Sequence, residues 1–238
     1  MGLLALAIAP GIAICIYIYF KDRYNKEPLG LLMMSFILGM LSIIPAVIIQ
    51  LASGTSIEKL GGSSMLSVAI SAYIVVALSE EGSKFLALRF YAYPKKAFDD
   101  PFDGIIYSVM VGMGFATLEN IGYVMQHGIA TGITRMFLSV PAHGTFAVLM
   151  GYYVGLAKFH PAKRSYYFLL AILLPVIFHG TFDFFLFLGN TALHFAGAVA
   201  SFIVAIFLSR RAIRKKQALS KDHMDGIDSI TQNNNSLI

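Results

Sequence analysis

A single cysteine, Cys15, stands in the whole 238-residue chain, and tryptophan is absent. One thiol excludes a disulfide framework and a cysteine-based metal site. Charge is scarce as well: Asp, Glu, Lys and Arg make up 13% of the residues, against roughly 25% in a soluble domain. Hydrophobic residues reach 57%, and the mean hydropathy is +0.72. So little polar surface does not cover that much apolar side chain in water. Charge is missing altogether from Met1–Phe20, Pro28–Ile57, Leu60–Ser79, Met136–Ala157 and Phe184–Ser209. A helix needs about 20 apolar residues to cross a bilayer. A soluble enzyme, a secreted disulfide scaffold and a free nucleic-acid binder are all excluded.

What is there reads as an all-α, polytopic transmembrane helix bundle. About seven spans are expected, near 2–20, 29–51, 68–91, 103–125, 136–156, 166–188 and 191–209, each long enough at a rise of about 1.5 Å per residue. The glycines and serines of 52–66 suggest a loop with a turn of interfacial helix, and Asp103-Gly104 suggests an N-terminal cap for the fourth span. The first 20 residues lack a positive leader and read as a retained helix rather than a signal peptide. Of the 18 Lys and Arg residues, 14 fall in the loops after spans 1, 3 and 5 and in the C-terminal stretch. The positive-inside rule then puts the N-terminus outside and the C-terminus in the cytoplasm. The formal net charge of +5 owes much to Arg210–Lys221, which carries six basic residues. Directly after an apolar span, such a segment suits an anionic leaflet rather than nucleic acid. Residues 1–209 are therefore expected to form a single transmembrane domain. Residues 210–238, basic and then polar, are expected to be a disordered cytoplasmic tail.

An ionisable residue inside a span costs roughly 2.5–3.5 kcal/mol on insertion scales and is a functional candidate by default. Span 3 contains Glu80, Glu81 and Lys84; span 4 contains Glu119 beside Asn120; span 5 contains His143; span 6 contains His179 and Asp183. Glu80 and Lys84 are four apart, as are His179 and Asp183, so each pair shares a helix face. Counting rise along spans that enter from opposite sides puts Glu80 ~15–20 Å, and Glu119, His143 and His179 ~10–14 Å, from the outer surface. The four helices thus bring carboxylates and imidazoles into one layer, in the outer half of the membrane.

A carboxylate in a poorly hydrated pocket can act as a general base on water. Histidine can stabilise a developing oxyanion, Asp183 can orient His179, and Lys84 can neutralise one of two adjacent glutamates that would otherwise repel. This is equipment for water attack on an amide. Three glutamates and two histidines could also hold zinc. No His-Glu-x-x-His pattern occurs and the groups come from four helices, so a metal-independent glutamate mechanism without cofactor is expected, zinc not being excluded. Two other readings stay open: a proton-coupled transporter, since buried Glu and His also build proton relays, and a non-catalytic immunity or scaffold protein.

The elements Glu80-Glu81-x-x-Lys84, Phe115-x-x-x-Glu119-Asn120, His143 and His179-x-x-x-Asp183, with Pro10-Gly11 and Lys21-Asp22 near the start, together resemble the PrsW family of intramembrane proteases. That family lies within the wider superfamily of CAAX proteases and Abi proteins. In the CAAX-processing branch the first motif typically ends in Arg and the second in His; Lys84 and Glu119 stand there in this chain, which favours the PrsW branch. The resemblance implies site-1 cleavage of a single-pass, RsiW-like anti-sigma factor in the cell membrane, within regulated intramembrane proteolysis in a stress response. It implies Glu80 as the activating glutamate, with Glu81, Glu119, His143 and His179 completing the site and Lys84, Asn120 and Asp183 supporting it. The scissile bond and the oligomeric state are left open.

Overall fold

The computed structural model describes residues 2–59, 64–189 and 191–235. The molecule is helical, with no strand among the described residues. A continuous apolar run can satisfy its backbone polar groups within itself only as a helix, and lipid offers them no other partner. Helix α1 covers Gly2–Lys21 with a buried Pro10 inside it. Helices α2 (Leu29–Leu41) and α3 (Ile43–Lys59) follow one another across Ser42. Pro45 explains that break: its ring crowds the carbonyl four residues earlier, at Leu41. The loop expected over 52–66 is thus helical to Lys59, and residues 60–63 lie outside the described residues.

Ser64 caps α4 (Met65–Ala69) by accepting the Ser67 amide. The chain continues through a π-helical stretch, Ile70–Ala77, into α5 (Leu78–Ala87) and a closing π-turn, Leu88–Ala92. Beyond a short link come α6 (Asp103–Phe137), α7 (Ser139–Phe159), a 3-10 turn, α8 (Arg164–Phe187) and α9 (Ala192–Asn235). Six segments are long and apolar enough to cross a membrane, one of them, Asp103–Phe159, comprising both α6 and α7.

Helix α6 is the axle. It packs against α1, α2 and α7, and every residue from Asp103 to Thr117 is buried. Gly104 lies against Gly151, and Gly112 against Ala147, so α6 and α7 run antiparallel with their backbones touching. Only residues without bulky side chains permit this approach. At Gly128 the backbone turns, with φ 79°, a conformation that L side chains resist. Residues 129–137 then fold back along the preceding turns, where a loop was expected.

Asp103 sits one residue inside α6 rather than capping it. Its Oδ2 instead accepts the amides of Asp99 at 2.8 Å and Asp100 at 2.6 Å in the link before the helix. Nearby, between α1 and α2, Asp22 and Glu27 are both buried. Loss of hydration pushes the Asp22 carboxyl up to about 6 and that of Glu27 up to about 7. Residues 210–220, expected to belong to a disordered tail, continue α9: Lys216 and Ser220 are buried and the Ser220 hydroxyl donates to Asp100 at 2.7 Å. No Gly or Pro interrupts the chain from Ser209 to Asp225, and its Ala, Leu, Lys, Arg and Gln favour helix.

Candidate active site

Helix α5 is flanked on both sides by π-helical turns, a distortion that recurs at functional sites because it re-aims the side chains beyond it. Its Glu80, Glu81 and Lys84 meet His143 of α7 and His179 of α8, all five being 5% exposed or less. Lys84 Nζ lies 2.7 Å from Glu81 Oε1 and 3.5 Å from Glu80 Oε2. The tighter pairing therefore falls at three-residue spacing, not at the four-residue spacing of Glu80 and Lys84. His179 donates from Nδ1 to Glu81 Oε1 at 2.9 Å and turns Nε2 toward Asp183 Oδ2 at 3.2 Å. The Phe146 ring stacks on it at 5.1 Å and fixes its plane.

An ammonium can only donate, so Lys84 Nζ, 3.2 Å from His143 Nδ1, sets that ring's tautomer. His143 then donates from Nε2 to Glu119 Oε2 at 2.9 Å. The same carboxylate oxygen is 2.8 Å from Arg135 Nη2, and Arg135 Nε donates to Asn120 Oδ1 at 3.0 Å. Asn120 passes the chain on to α1, its amide donating to the Ala7 carbonyl at 2.9 Å. One connected network thus ties five helices together, α1, α5, α6, α7 and α8.

A cavity of about 690 Å³ divides this network into a front and a back. Glu80, Glu119, Arg135, His143, His179 and Asp183 line it; Glu81, Lys84 and Asn120 do not. Glu80 accepts the Gln50 amide on Oε1 at 3.2 Å, and its buried Oε2 has no hydrogen-bond partner. A carboxylate that lines such a cavity beside two imidazoles, with one oxygen free of hydrogen bonds, can take a proton from water.

The chain matches the PrsW family intramembrane metalloprotease model over residues 27–209. It is similar to Protease PrsW of Geobacillus kaustophilus, 40% identical over 185 residues covering 78% of this chain and 80% of the relative. Protease PrsW of Bacillus subtilis is 37% identical over 186 residues, covering 78% and 83%. The chain belongs to the PrsW family. No solved structure matches it. A PrsW protein is a membrane-embedded peptidase, which is the fold class and activity expected from the sequence.

The family's description as metalloproteases has to be set beside the metal-independent expectation. Glu80, His143 and His179 each offer a donor atom within 4.8 Å of the other two, a His₂Glu set suited to zinc. Glu80 Oε2 is unpartnered, and the Glu81 bond to His179 Nδ1 is the outer support that metal-binding imidazoles generally have. To join them, His143 would exchange its Lys84 or Glu119 partner, and His179 Nε2 its Asp183 partner. The residues fit a divalent metal.

All eight site residues anticipated in PrsW fashion from the sequence converge, though Asn120 acts on Arg135 and α1 rather than facing the cavity. Sequence reasoning missed Arg135, counted as a loop charge, and Gln50 on α3. Arg135 is 15 residues from Asn120, a spacing without helical meaning until the chain turns at Gly128.

Proposed function

We propose that this PrsW-family peptidase is a site-1 protease of the cell membrane, cutting a single-pass anti-sigma factor on its extracytoplasmic side so that a sigma factor is later released. The observation that carries it is Glu80, which lines a cavity shared with His143 and His179 and whose Oε2 accepts no hydrogen bond. The Lys and Arg distribution, read by the positive-inside rule with the N-terminus outside, supports an outward position for that cavity.

Glu80 takes a proton from water as the oxygen bonds to the scissile carbonyl carbon. His143 or His179 stabilises the oxyanion, as does Arg135 across the cavity. Glu80 then returns the proton to the departing amine as the C–N bond breaks. Glu81 and Lys84 hold the two imidazoles from behind. When bound by Glu80, His143 and His179, a divalent metal would add Lewis-acid polarisation of water and carbonyl.

Reconstitution with a single-pass anti-sigma substrate in liposomes tests this reading. Glu80→Gln is expected to lower the cleavage rate by about 10²–10⁴-fold with the fold intact; undiminished cleavage overturns it. Metal content of the purified protein, compared with His143→Ala and His179→Ala, decides the role of zinc.

A further inference from the structure

A second group of carboxylates lies at the other end of α6, where the α1–α2 junction meets the link between α5 and α6. Asp103 and Glu119 are 16 residues apart on α6, or ~24 Å along its axis, so this group is separate from the peptidase cavity. Glu27, Asp99 and Asp103 each present a carboxylate oxygen within 4.8 Å of the other two. Asp100 is spent: its Oδ1 accepts the Phe102 amide and its Oδ2 the Ser220 hydroxyl, both at 2.7 Å. Asp103 is different. It is fully buried, and while Oδ2 takes two backbone amides, Oδ1 has no hydrogen-bond partner. Asp22, 1% exposed, has no hydrogen bond to either carboxylate oxygen; Lys26 and, to a lesser degree, the Glu27 amide favour its anion.

The surrounding cations do not satisfy these groups. Lys26 acts on Asp22, but its ammonium donates to the Tyr19 carbonyl. Lys158 donates to the carbonyls of Tyr93 and Lys95, at 2.8 and 3.4 Å. Lys216 reaches Asp100 and Asp103 only through space. Five carboxylates against these three ammonium groups leave a negative excess in a largely buried space, where the Tyr107 hydroxyl donates to Glu27. Asp99 is exposed and opens the group to water, which gives an ion a way in.

We propose that Glu27, Asp99 and Asp103 bind a hard divalent cation of the calcium or magnesium kind, clamping the α1–α2 junction to the start of α6. An all-oxygen carboxylate set selects such ions over zinc or copper. The clamp would hold in register the helix that carries Glu119 and the loop that precedes α2.

Terbium, a calcium surrogate excited through tyrosine, suits a chain with no tryptophan and with Tyr107 touching Glu27. Full-length protein in detergent, stripped with chelator, is titrated with terbium and then with calcium. Tyrosine-sensitised emission competed by calcium, and a Tm raised by calcium, are expected in the unaltered protein and in Glu80→Gln. Asp103→Asn and Glu27→Gln are each expected to weaken terbium binding at least tenfold and to abolish the calcium effect on Tm. Emission unchanged in both variants, or a Tm indifferent to calcium and magnesium in the unaltered protein, overturns the proposal. So does a rise in Tm on neutralising Glu27 in a protein that binds no cation, since that result assigns a proton shared between Glu27 and Asp103.

Discussion

Glu80 and Glu81 are chain neighbours with identical side chains and opposite situations. Glu81 Oε1 holds both Lys84 and His179, at 2.7 and 2.9 Å, behind the cavity wall. Glu80 lines the cavity; both residues leave Oε2 without a hydrogen bond, so position rather than bonding separates them. Removing one member of a buried, bonded charge set strands the others, at a cost of about 3–5 kcal/mol. Glu81→Gln is therefore expected to depress both Tm and cleavage. Glu80→Gln leaves the shorter Lys84–Glu81 pair in place and is expected to lower cleavage by about 10²–10⁴-fold with a smaller loss of Tm. Thermal unfolding of the two variants side by side checks this; a larger Tm loss for Glu80→Gln would reverse the roles assigned to the pair. The candidates themselves were legible in the sequence, because ionisable side chains in spans free of other charge stand out. Which of the two glutamates faces the cavity was not, because adjacent helical residues differ by about 100° of rotation and only neighbouring helices say which direction is open.

Among the elements, the antiparallel pair α6 and α7 sets the position of His143 relative to Glu119. Their contact relies on Gly104 and Gly151, where a Cβ on either would strike the other's backbone carbonyl. Gly151→Val must push the helices apart, and overpacking of this kind costs about 1–3 kcal/mol. A lower Tm together with a loss of cleavage is expected, since the His143–Glu119 bond of 2.9 Å does not survive a shift of that size. Gly30→Ala, at a position with open space around it, is the control and is expected to be neutral or stabilising by about 0.5–1 kcal/mol. The π-helical turns flanking α5 belong to the same scale. Hydrophobic runs predict a helix there but carry no signal for its local widening, which packing against α8 accompanies.

For the molecule as a whole, the end of α9 is part of the folded unit. Gln217 donates to the Lys21 carbonyl and Ser220 to Asp100, joining α9 to the α1–α2 junction and to the link before α6. Truncation after Ser209 is expected to lower Tm, each lost buried bond leaving a partner unsatisfied at about 1–3 kcal/mol. Truncation after Met224 keeps both bonds and is expected to leave Tm unchanged. Equal Tm values for the two shortened chains would mean that the segment contributes nothing to the fold. Composition alone pointed to a tail here, because a basic, polar segment has little apolar surface to bury; its docking depends on carbonyl and carboxylate groups from distant loops.

Membrane residence, helical class and the membership of the polar set followed from the sequence by itself, because hydropathy and the cost of burying charge are properties of consecutive residues. The family's motifs were equally local, each held within five or six positions. Tertiary structure alone decided that Glu80 stands in front and Glu81 behind, that Arg135 returns to Glu119 past Gly128, and that Asp103 meets Glu27 across the start of α6. Those arrangements depend on helix rotation and on the approach of segments 16 to 76 residues apart in the chain, and no local pattern encodes such distances.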